Sequence, residues 1–173
     1  MWDPFKRTWE DLAIDLVYSE GQRRRFRLPP PPEWVVKKEA TVPLYVGGTS
    51  VRTVFYIHPS LPSGTDYVLR HLAGVAELRY RLLAPKEAWS VDADPVHFTP
   101  TPDAVLFSKG ERIAVEYDAG YPLPIARNKM LAMGEKYPKQ VWGVVTEERK
   151  KALVALTPDR LKGRVEVLVA PWF

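Results

Sequence analysis

Asp103 and Glu116 are the residues whose type and spacing most clearly indicate chemistry. They stand thirteen positions apart, one just before and one within a run of β-prone apolar residues, and Asp118 follows two positions later. Carboxylates gathered on one face of a sheet repel each other unless one is protonated or a cation lies between them. Mg²⁺ prefers such oxygen ligands, usually one or two carboxylates completed by water and substrate phosphate. The pattern therefore indicates a carboxylate metal site, provided that the fold brings these side chains together.

The hairpin between the two residues decides whether they meet. Its centre is Lys109–Gly110, and a loop of two or four residues pairs Ser108 with Glu111. That register puts Asp103 directly opposite Glu116, with their Cβ atoms about 4.5–5.5 Å apart. A three-residue loop instead shifts the register by one and leaves the two carboxylates as solvated charges on opposite faces. The spacing leaves both registers open.

The helices and strands that would position this hairpin follow in the order α-β-β-β-α-β-α-β from residue 66. Apolar residues at helical spacing predict a helix over residues 66–83. Apolar runs predict strands at 88–93, 103–108, 112–118, 140–146 and 165–170, with further helices beginning near Pro124 and at Glu147. We therefore expect an α/β fold with a mixed central sheet flanked by helices.

The four consecutive prolines Pro29–Pro32 mark the clearest boundary in the chain. Prolines lack the backbone donor and favour an extended conformation, so they interrupt helices and sheets. Before them Thr8 could cap a short helix, and after them two β-rich runs flank Gly47–Gly48, which predicts a hairpin. We expect a small N-terminal appendage of a helix and a β-hairpin over residues 1–57, followed by an α/β domain over residues 58–173.

Composition narrows the class of protein. The chain has no cysteine, and its three histidines lack the helical spacing of a zinc protease, which excludes thiolate chemistry and makes a histidine metal cage a poor hypothesis. The sequence shows neither a secretion signal nor an apolar stretch of about 18 residues, so we expect a cytoplasmic protein that does not bind membranes. Seventeen prolines without cysteine suit a heat-adapted, thermophile source.

Basic residues are concentrated near the proline boundary. The net charge of +4 permits binding of a polyanion. We expect six residues to contact a DNA backbone without sequence preference, namely Arg23, Arg24, Arg25, Arg27, Lys37 and Lys38. Runs of this kind are also common on solvated faces, so DNA binding is a hypothesis at this point.

Pro102-Asp103 before a strand, and Glu116 within the next acidic strand, resemble the motif of the PD-(D/E)xK nuclease superfamily. His71–Arg79 (HLAGVAELR), the PDA triplet at 102–104 and Val115–Gly120 (VEYDAG) further resemble the replication-relaxation family of plasmid-associated proteins, over roughly residues 65–146. The resemblance implies a restriction-endonuclease-like αβββαβ core and a metal-dependent DNA endonuclease, commonly a homodimer, linked to plasmid replication or mobile elements. It also implies a winged helix ahead of the core, of which residues 1–57 could hold a shortened version with the hairpin as wing.

Three further residues complete the set of candidate catalytic residues, namely Asp118, Glu77 and Lys129. Asp118 occupies the place of the superfamily's lysine, so we expect Lys129, on the next helix, to reach over the sheet to Glu116; a surface lysine is the alternative. Glu77 matches an acidic position in the first helix that some members use for metal binding, although helical geometry puts it opposite the apolar stripe and favours a solvated role. His71 lies at the edge of that stripe, where a hydrogen-bonded packing histidine is favoured over a catalytic one.

These residues support two functions of different classes. The first is Mg²⁺- or Mn²⁺-dependent hydrolysis of DNA phosphodiesters, with Asp103 and Glu116 as metal ligands and Lys129 stabilising the developing charge. The alternative is a DNA-binding or replication-control protein that keeps the nuclease fold without its chemistry, which the missing triplet lysine favours. A small protein-interaction subunit is compatible with the proline run, but the run is not specific for one.

Overall fold

Two short helices and a three-stranded antiparallel sheet are formed by the first part of the chain. The protein is described by a computed structural model over residues 6–61, 64–91 and 101–173. The helices are α1 (Leu12–Asp15) and α2 (Glu20–Arg25), and the strands are β1 (Val17–Ser19), β2 (Val36–Pro43) and β3 (Ser50–Ile57). β3 lies between the other two strands. The predicted hairpin is present, but β2 lies earlier than expected and a loop over residues 44–49 separates the strands.

A five-stranded mixed sheet occupies the rest of the chain. Its strands, in spatial order, are β4 (Trp89–Val91), β5 (Ala104–Ser108), β6 (Glu111–Asp118), β7 (Lys139–Val144) and β8 (Val165–Val169). β4, β5 and β6 pair antiparallel, whereas β6, β7 and β8 pair parallel. The parallel crossovers contain α4 (Leu123–Gly134) and α5 (Glu147–Leu156). This is the predicted order of elements and the predicted mixed α/β class; the last two residues of the strand expected over 88–93 lie outside the described ranges.

Helix α3 (Asp66–Arg81) lies between the two sheets and supplies the core to both. Thr65 caps it by accepting a hydrogen bond from the backbone N–H of Val68. The helix is buried on several sides, and a Cβ atom on Gly74 would lie 2.3 Å from the ring of Tyr117 on β6. One hydrophobic cluster joins Phe55 of β3 to α3, the five-stranded sheet and the C-terminal Trp172. Residues 6–57 therefore share their interior with the larger α/β part.

Glu77 is buried, which corrects the expectation of a solvated role. Its carboxylate lies 2.9 Å from Arg25 and 3.1 Å from Arg81, and Gln22 donates to it at 3.3 Å. The expectation was wrong because α2 covers the side of α3 that faces away from the five-stranded sheet. Periodicity within one helix cannot reveal a second packing partner supplied by a distant part of the chain.

The hairpin between β5 and β6 has a two-residue turn. Lys109 and Gly110 both have positive φ, 51° and 79°, which is the backbone of a type I′ turn. Ser108 pairs with Glu111, and the register continues to the pair of Ala104 and Val115. The two-residue alternative is thus confirmed, and the three-residue alternative is wrong.

Helices α4 and α5 cover the face of the five-stranded sheet opposite α3. Their buried residues, including Ala126, Met130 and Met133, pack with Trp142 and Val167 in a separate hydrophobic cluster. Because side chains alternate between the faces of a strand, Glu116 and the buried Ala114 of β6 point toward α4 and α5. None of the helices in the described ranges is long and apolar enough to cross a bilayer.

Candidate active site

Asp103 and Glu116 lie side by side at the carboxyl-terminal half of β6, with both carboxylates inside the protein. Asp103 immediately precedes β5, and the register of the hairpin places it opposite Glu116. The exposed fractions of the two residues are 3% and 0%. The convergence expected from the spacing is therefore present, and it is built by a turn of defined length and not by the acidic residues themselves.

Asp103 is held as an anion by its neighbours. One carboxylate oxygen accepts a hydrogen bond from the backbone N–H of Tyr117 at 2.7 Å, and the other lies 2.9 Å from Nε2 of His71. This His71 atom makes no hydrogen bond of regular geometry, so its contact with Asp103 is mainly electrostatic. Burial alone raises the pKa of Asp103, but the electrostatic influence of His71, together with the backbone hydrogen bond from Tyr117, lowers that pKa below its ordinary value.

Glu116 has the opposite tendency. Burial, together with the negative charge of Asp103, raises the pKa of Glu116 well above its ordinary value. Lys129 Nζ hydrogen-bonds to Oε1, while Oε2 is buried without a hydrogen-bond partner. Two neighbouring carboxylates whose pKa values are moved in opposite directions are a common arrangement in catalytic sites.

Lys129 reaches Glu116 from α4, as expected from its place in the sequence. The stem of the lysine is mostly buried, and Nζ lies 5.7 Å from the centre of the Tyr121 ring. The surface-lysine alternative is wrong, because the ammonium group faces a carboxylate that is inaccessible to water. The site thus contains a lysine, supplied by α4, beside the carboxylate of Glu116.

Tyr121 is a residue of this site that sequence reasoning missed. Burial raises the pKa of its hydroxyl, and the charges of Glu116 and Asp103 raise it further. The hydroxyl therefore stays protonated and can donate a hydrogen bond within the site. Its place directly after Gly120, at the end of the acidic strand, is the one signal in the sequence that could have indicated it.

Asp118 is engaged in structural contacts instead. Its carboxylate accepts hydrogen bonds from the backbone N–H groups of Gly120 and Tyr121 at 2.7 and 2.8 Å, and pairs with Arg149 of α5 at 2.7 Å. These contacts fasten the end of β6 to the start of α5. We assign Asp118 to positioning of the site, apart from the Asp103–Glu116 pair. Glu77, which is paired with Arg25 and Arg81, has no contact with that pair.

The six basic residues predicted to contact DNA do not form one free surface. Arg23 pairs with Glu20 at 2.8 Å, and Arg25 donates to Glu77 and to the carbonyl of Phe173. Arg24 also pairs with Glu20 and Lys38 with Asp66, each with substantial exposure. Arg27 and Lys37 are exposed. Arg23 and Arg25 serve the packing of α2, which leaves the other four side chains accessible for a partner.

A cleft of about 510 Å³ opens beside the acidic strand. Tyr45 and Val46 of the β2–β3 loop form one wall, and Arg149 of α5 forms part of another. The backbone N–H of Val46 donates to the carbonyl of Ala119 at 2.8 Å, which holds the loop against the end of β6. The predicted N-terminal hairpin thus contributes to the surroundings of the site.

In the part of the chain that the structure describes, no group of three or more histidine, aspartate or glutamate side chains is arranged to hold a metal ion. The candidate metal ligands are therefore the two carboxylates Asp103 and Glu116. Two carboxylates suffice for Mg²⁺ when water and substrate phosphate supply the other ligands.

No model of a known protein family matches the chain, and neither a curated protein nor a solved structure is significantly similar to it.

Proposed function

We propose that the protein is a metal-dependent DNA endonuclease of the PD-(D/E)xK type. The observation that carries the proposal is the meeting of Asp103, Glu116 and Lys129, three side chains from separate elements, at one buried place. The order α3-β4-β5-β6-α4-β7 is the order that the resemblance implies for a restriction-endonuclease-like core. The association with plasmid replication or mobile elements, and a homodimeric state, are parts of the same proposal.

The residues present fit a divalent cation. Oε2 of Glu116 is a buried acceptor without a partner, and its neighbour Asp103 carries a negative charge that a cation would offset. Asp103 and Glu116 would hold Mg²⁺ or Mn²⁺ through carboxylate oxygens, the ligands that these ions prefer. When bound, such an ion supplies an acidified water and shields the charge of a phosphodiester.

The protein's own residues would orient and stabilise the reacting groups. Lys129 places a positive charge beside Glu116, where it stabilises negative charge that develops on a phosphate. His71 positions Asp103 by charge, and Tyr121 offers a hydroxyl that remains protonated. The low exposure of the site strengthens each of these electrostatic interactions relative to water.

Cleavage of supercoiled plasmid with Mg²⁺ or Mn²⁺ tests this proposal. Asp103→Asn and Glu116→Gln each replace a carboxyl group by an amide with little change in shape, and we expect each to reduce the nicking rate by about 100-fold or more. Glu135→Gln, at an exposed glutamate after α4, is the matched control and should cleave like the wild type. Wild-type rates in both site variants, or absence of metal-dependent cleavage by the wild type, would contradict the proposal.

A second candidate is a DNA-binding or replication-control protein without hydrolytic activity. The observation that favours it is the direct pairing of both carboxylates with side chains of the fold itself, Asp103 with His71 and Glu116 with Lys129. Calorimetric titration with Mn²⁺ separates the candidates. The nuclease should bind the ion in a manner abolished by Asp103→Asn, whereas the binding protein should show no such site and a DNA affinity independent of metal.

A further inference from the structure

Arg70 of α3 is a buried arginine without a carboxylate partner. It is 3% exposed, Nη1 donates to the carbonyl of Pro43 at 2.8 Å, and Nε is buried and makes no hydrogen bond. Among the described residues no acidic side chain pairs with it. Arg79 on the same helix is equally buried but pairs with both Asp11 and Asp15. Burial of a charged group is unfavourable unless a partner compensates it, and no described residue supplies a compensating negative charge to Arg70.

The position of Arg70 joins the carboxylate site to the surface. Its chain neighbour His71 contacts Asp103, and Pro43, which accepts its hydrogen bond, is the last residue of β2, directly before the loop that lines the cleft. Burial lowers the pKa of Arg70. On the outer side, the ring of Tyr67 lies with its centre 5.1 Å from Cζ of Arg70.

Tyr67 is 62% exposed, so its ring can rotate without disturbing the core. Exposed side chains change rotamer on the picosecond to nanosecond timescale. Such a rotation uncovers the guanidinium and leaves an aromatic face beside it. An aromatic ring next to a cation is the combination that proteins use to bind single nucleotides of a strand, the ring by stacking and the cation by its phosphate.

We propose that Arg70 binds a backbone phosphate of a nucleic-acid strand. The guanidinium offers two parallel N–H donors, a geometry that matches the oxygen atoms of phosphate. Tyr67 stacks on the adjoining base. The inference rests on the proposed nuclease function for its substrate, but the phosphate site itself needs neither a metal nor hydrolysis, so it is testable without divalent cations.

Arg70→Met is the central variant, because methionine keeps an unbranched stem and removes the charge. Its control is Arg160→Met, at an exposed arginine whose ion pair with Glu135 is long, 3.7 Å. The first readout is thermal unfolding with inorganic phosphate against chloride at equal ionic strength. Phosphate should raise the Tm of the wild type and of Arg160→Met, but not that of Arg70→Met. In the absence of phosphate, Arg70→Met should unfold at the wild-type temperature or above it, because an uncompensated buried charge has been removed.

The second readout is the affinity for a short labelled oligonucleotide, measured by fluorescence anisotropy over a range of salt concentrations without divalent ions. Arg70→Met should weaken binding by about 10- to 100-fold and reduce the slope of log affinity against log salt by about one. Oligonucleotides with and without a 5′-phosphate are compared. If Arg70 binds a backbone phosphate, Arg70→Met should lose the same affinity for both. A loss of affinity confined to the 5′-phosphorylated strand would indicate a terminal phosphate and overturn the backbone assignment.

A purely structural Arg70 would give a different pattern. In that case Arg70→Met lowers the Tm and leaves the oligonucleotide affinity of the folded protein unchanged, which overturns the proposal, as does an equal loss of affinity in Arg160→Met. Should Arg70→Met fail to fold, Arg70→Lys keeps the charge but not the paired donors, and we expect it to lose most of the phosphate-dependent rise in Tm; an unchanged rise contradicts the proposal. Absence of DNA cleavage with normal binding in these assays would count against the nuclease function alone.

Discussion

At the scale of single residues, the buried charges around α3 divide into compensated and uncompensated ones. Asp15 belongs to the first kind, since Arg79 lies 2.7 Å away and Tyr18 donates to it at 2.5 Å. Even so, burial raises the pKa of Asp15 to about 6, because desolvation outweighs the attraction of Arg79. Ionisation of this carboxyl is therefore unfavourable for the folded state.

The sign of the resulting pH dependence follows from the two pKa values of Asp15. The unfolded chain releases its proton near pH 3.8 and the folded chain near pH 6, so the folded state binds more protons between them and loses stability as the pH rises through that window. Asp15→Asn retains hydrogen-bonding capacity and does not ionise. Its free energy of unfolding relative to wild type should rise by about 1–3 kcal/mol from about pH 4 to pH 7. Urea unfolding at both pH values checks this; a difference that does not vary with pH would contradict it.

Residue types and spacing identified Asp103, Glu116 and Lys129 as candidates and offered the observed arrangement as one of two alternatives, because it depends on local geometry. A hairpin register and a helical period are properties of neighbouring residues. His71 and Arg70 were beyond this reasoning. Their environments are set by Asp103, which precedes β5, and by Pro43 at the end of β2, and both lie many residues away from them in the sequence.

At the scale of elements, the close approach of α3 to β6 sets the position of the site. Gly74 lies against the ring of Tyr117, the residue whose backbone N–H donates to Asp103. Replacing a glycine within a helix by alanine ordinarily stabilises a protein. Here the added methyl group would meet the ring, which is buried and cannot move aside.

Gly74→Ala should therefore destabilise the protein, by about 1–3 kcal/mol, as overpacking of a core does. The double variant Gly74→Ala/Tyr117→Leu provides the control, since the smaller side chain makes room for the methyl group. Its loss of stability should be less than the sum of the two single losses. Chemical denaturation of the four proteins measures the coupling, and simple additivity would show that the two residues do not press on each other.

Most elements of the larger sheet were predictable from periodicity, and their order was correct. The burial of Glu77 could not be predicted in this way, because its surroundings come from α2. The ion pair between Glu77 and Arg25 also explains why a run of arginines that resembles a DNA-binding stretch contributes Arg25 to the packing of the protein. A run of basic residues shows where positive charge is concentrated in the sequence, but it does not show which of these side chains pair with acidic residues elsewhere in the fold.

At the scale of the whole molecule, Trp172 connects the C-terminal residues to the first sheet. It is fully buried, its ring lies 5.6 Å from that of Phe55, and its carbonyl accepts a hydrogen bond from Ser19. We expect Trp172→Ala to lower the free energy of unfolding by about 3–5 kcal/mol. Both sheets should unfold in one transition, because they share one core. Urea curves recorded by far-UV circular dichroism and by tryptophan fluorescence should coincide; two separated transitions would contradict a shared core.

The boundary at Pro29–Pro32 was a sound prediction of where regular structure is interrupted, since α2 ends before it and β2 begins after it. The prolines did not reveal that the segments on either side pack against the same helix. Local breaks in hydrogen bonding are visible in a sequence, whereas shared burial depends on which surfaces meet in three dimensions.

The placement of α3 between two sheets also has a consequence for dividing the protein. If the protein were divided into two chains near residue 61, each chain would expose the apolar surface that normally packs against the other. Neither half should therefore be stable alone. Produced together, they are natural candidates for reassembly as a split protein. In such a pair the acidic centre would be carried by one half, while the loop beside it and the carbonyl that anchors Arg70 would arrive with the other.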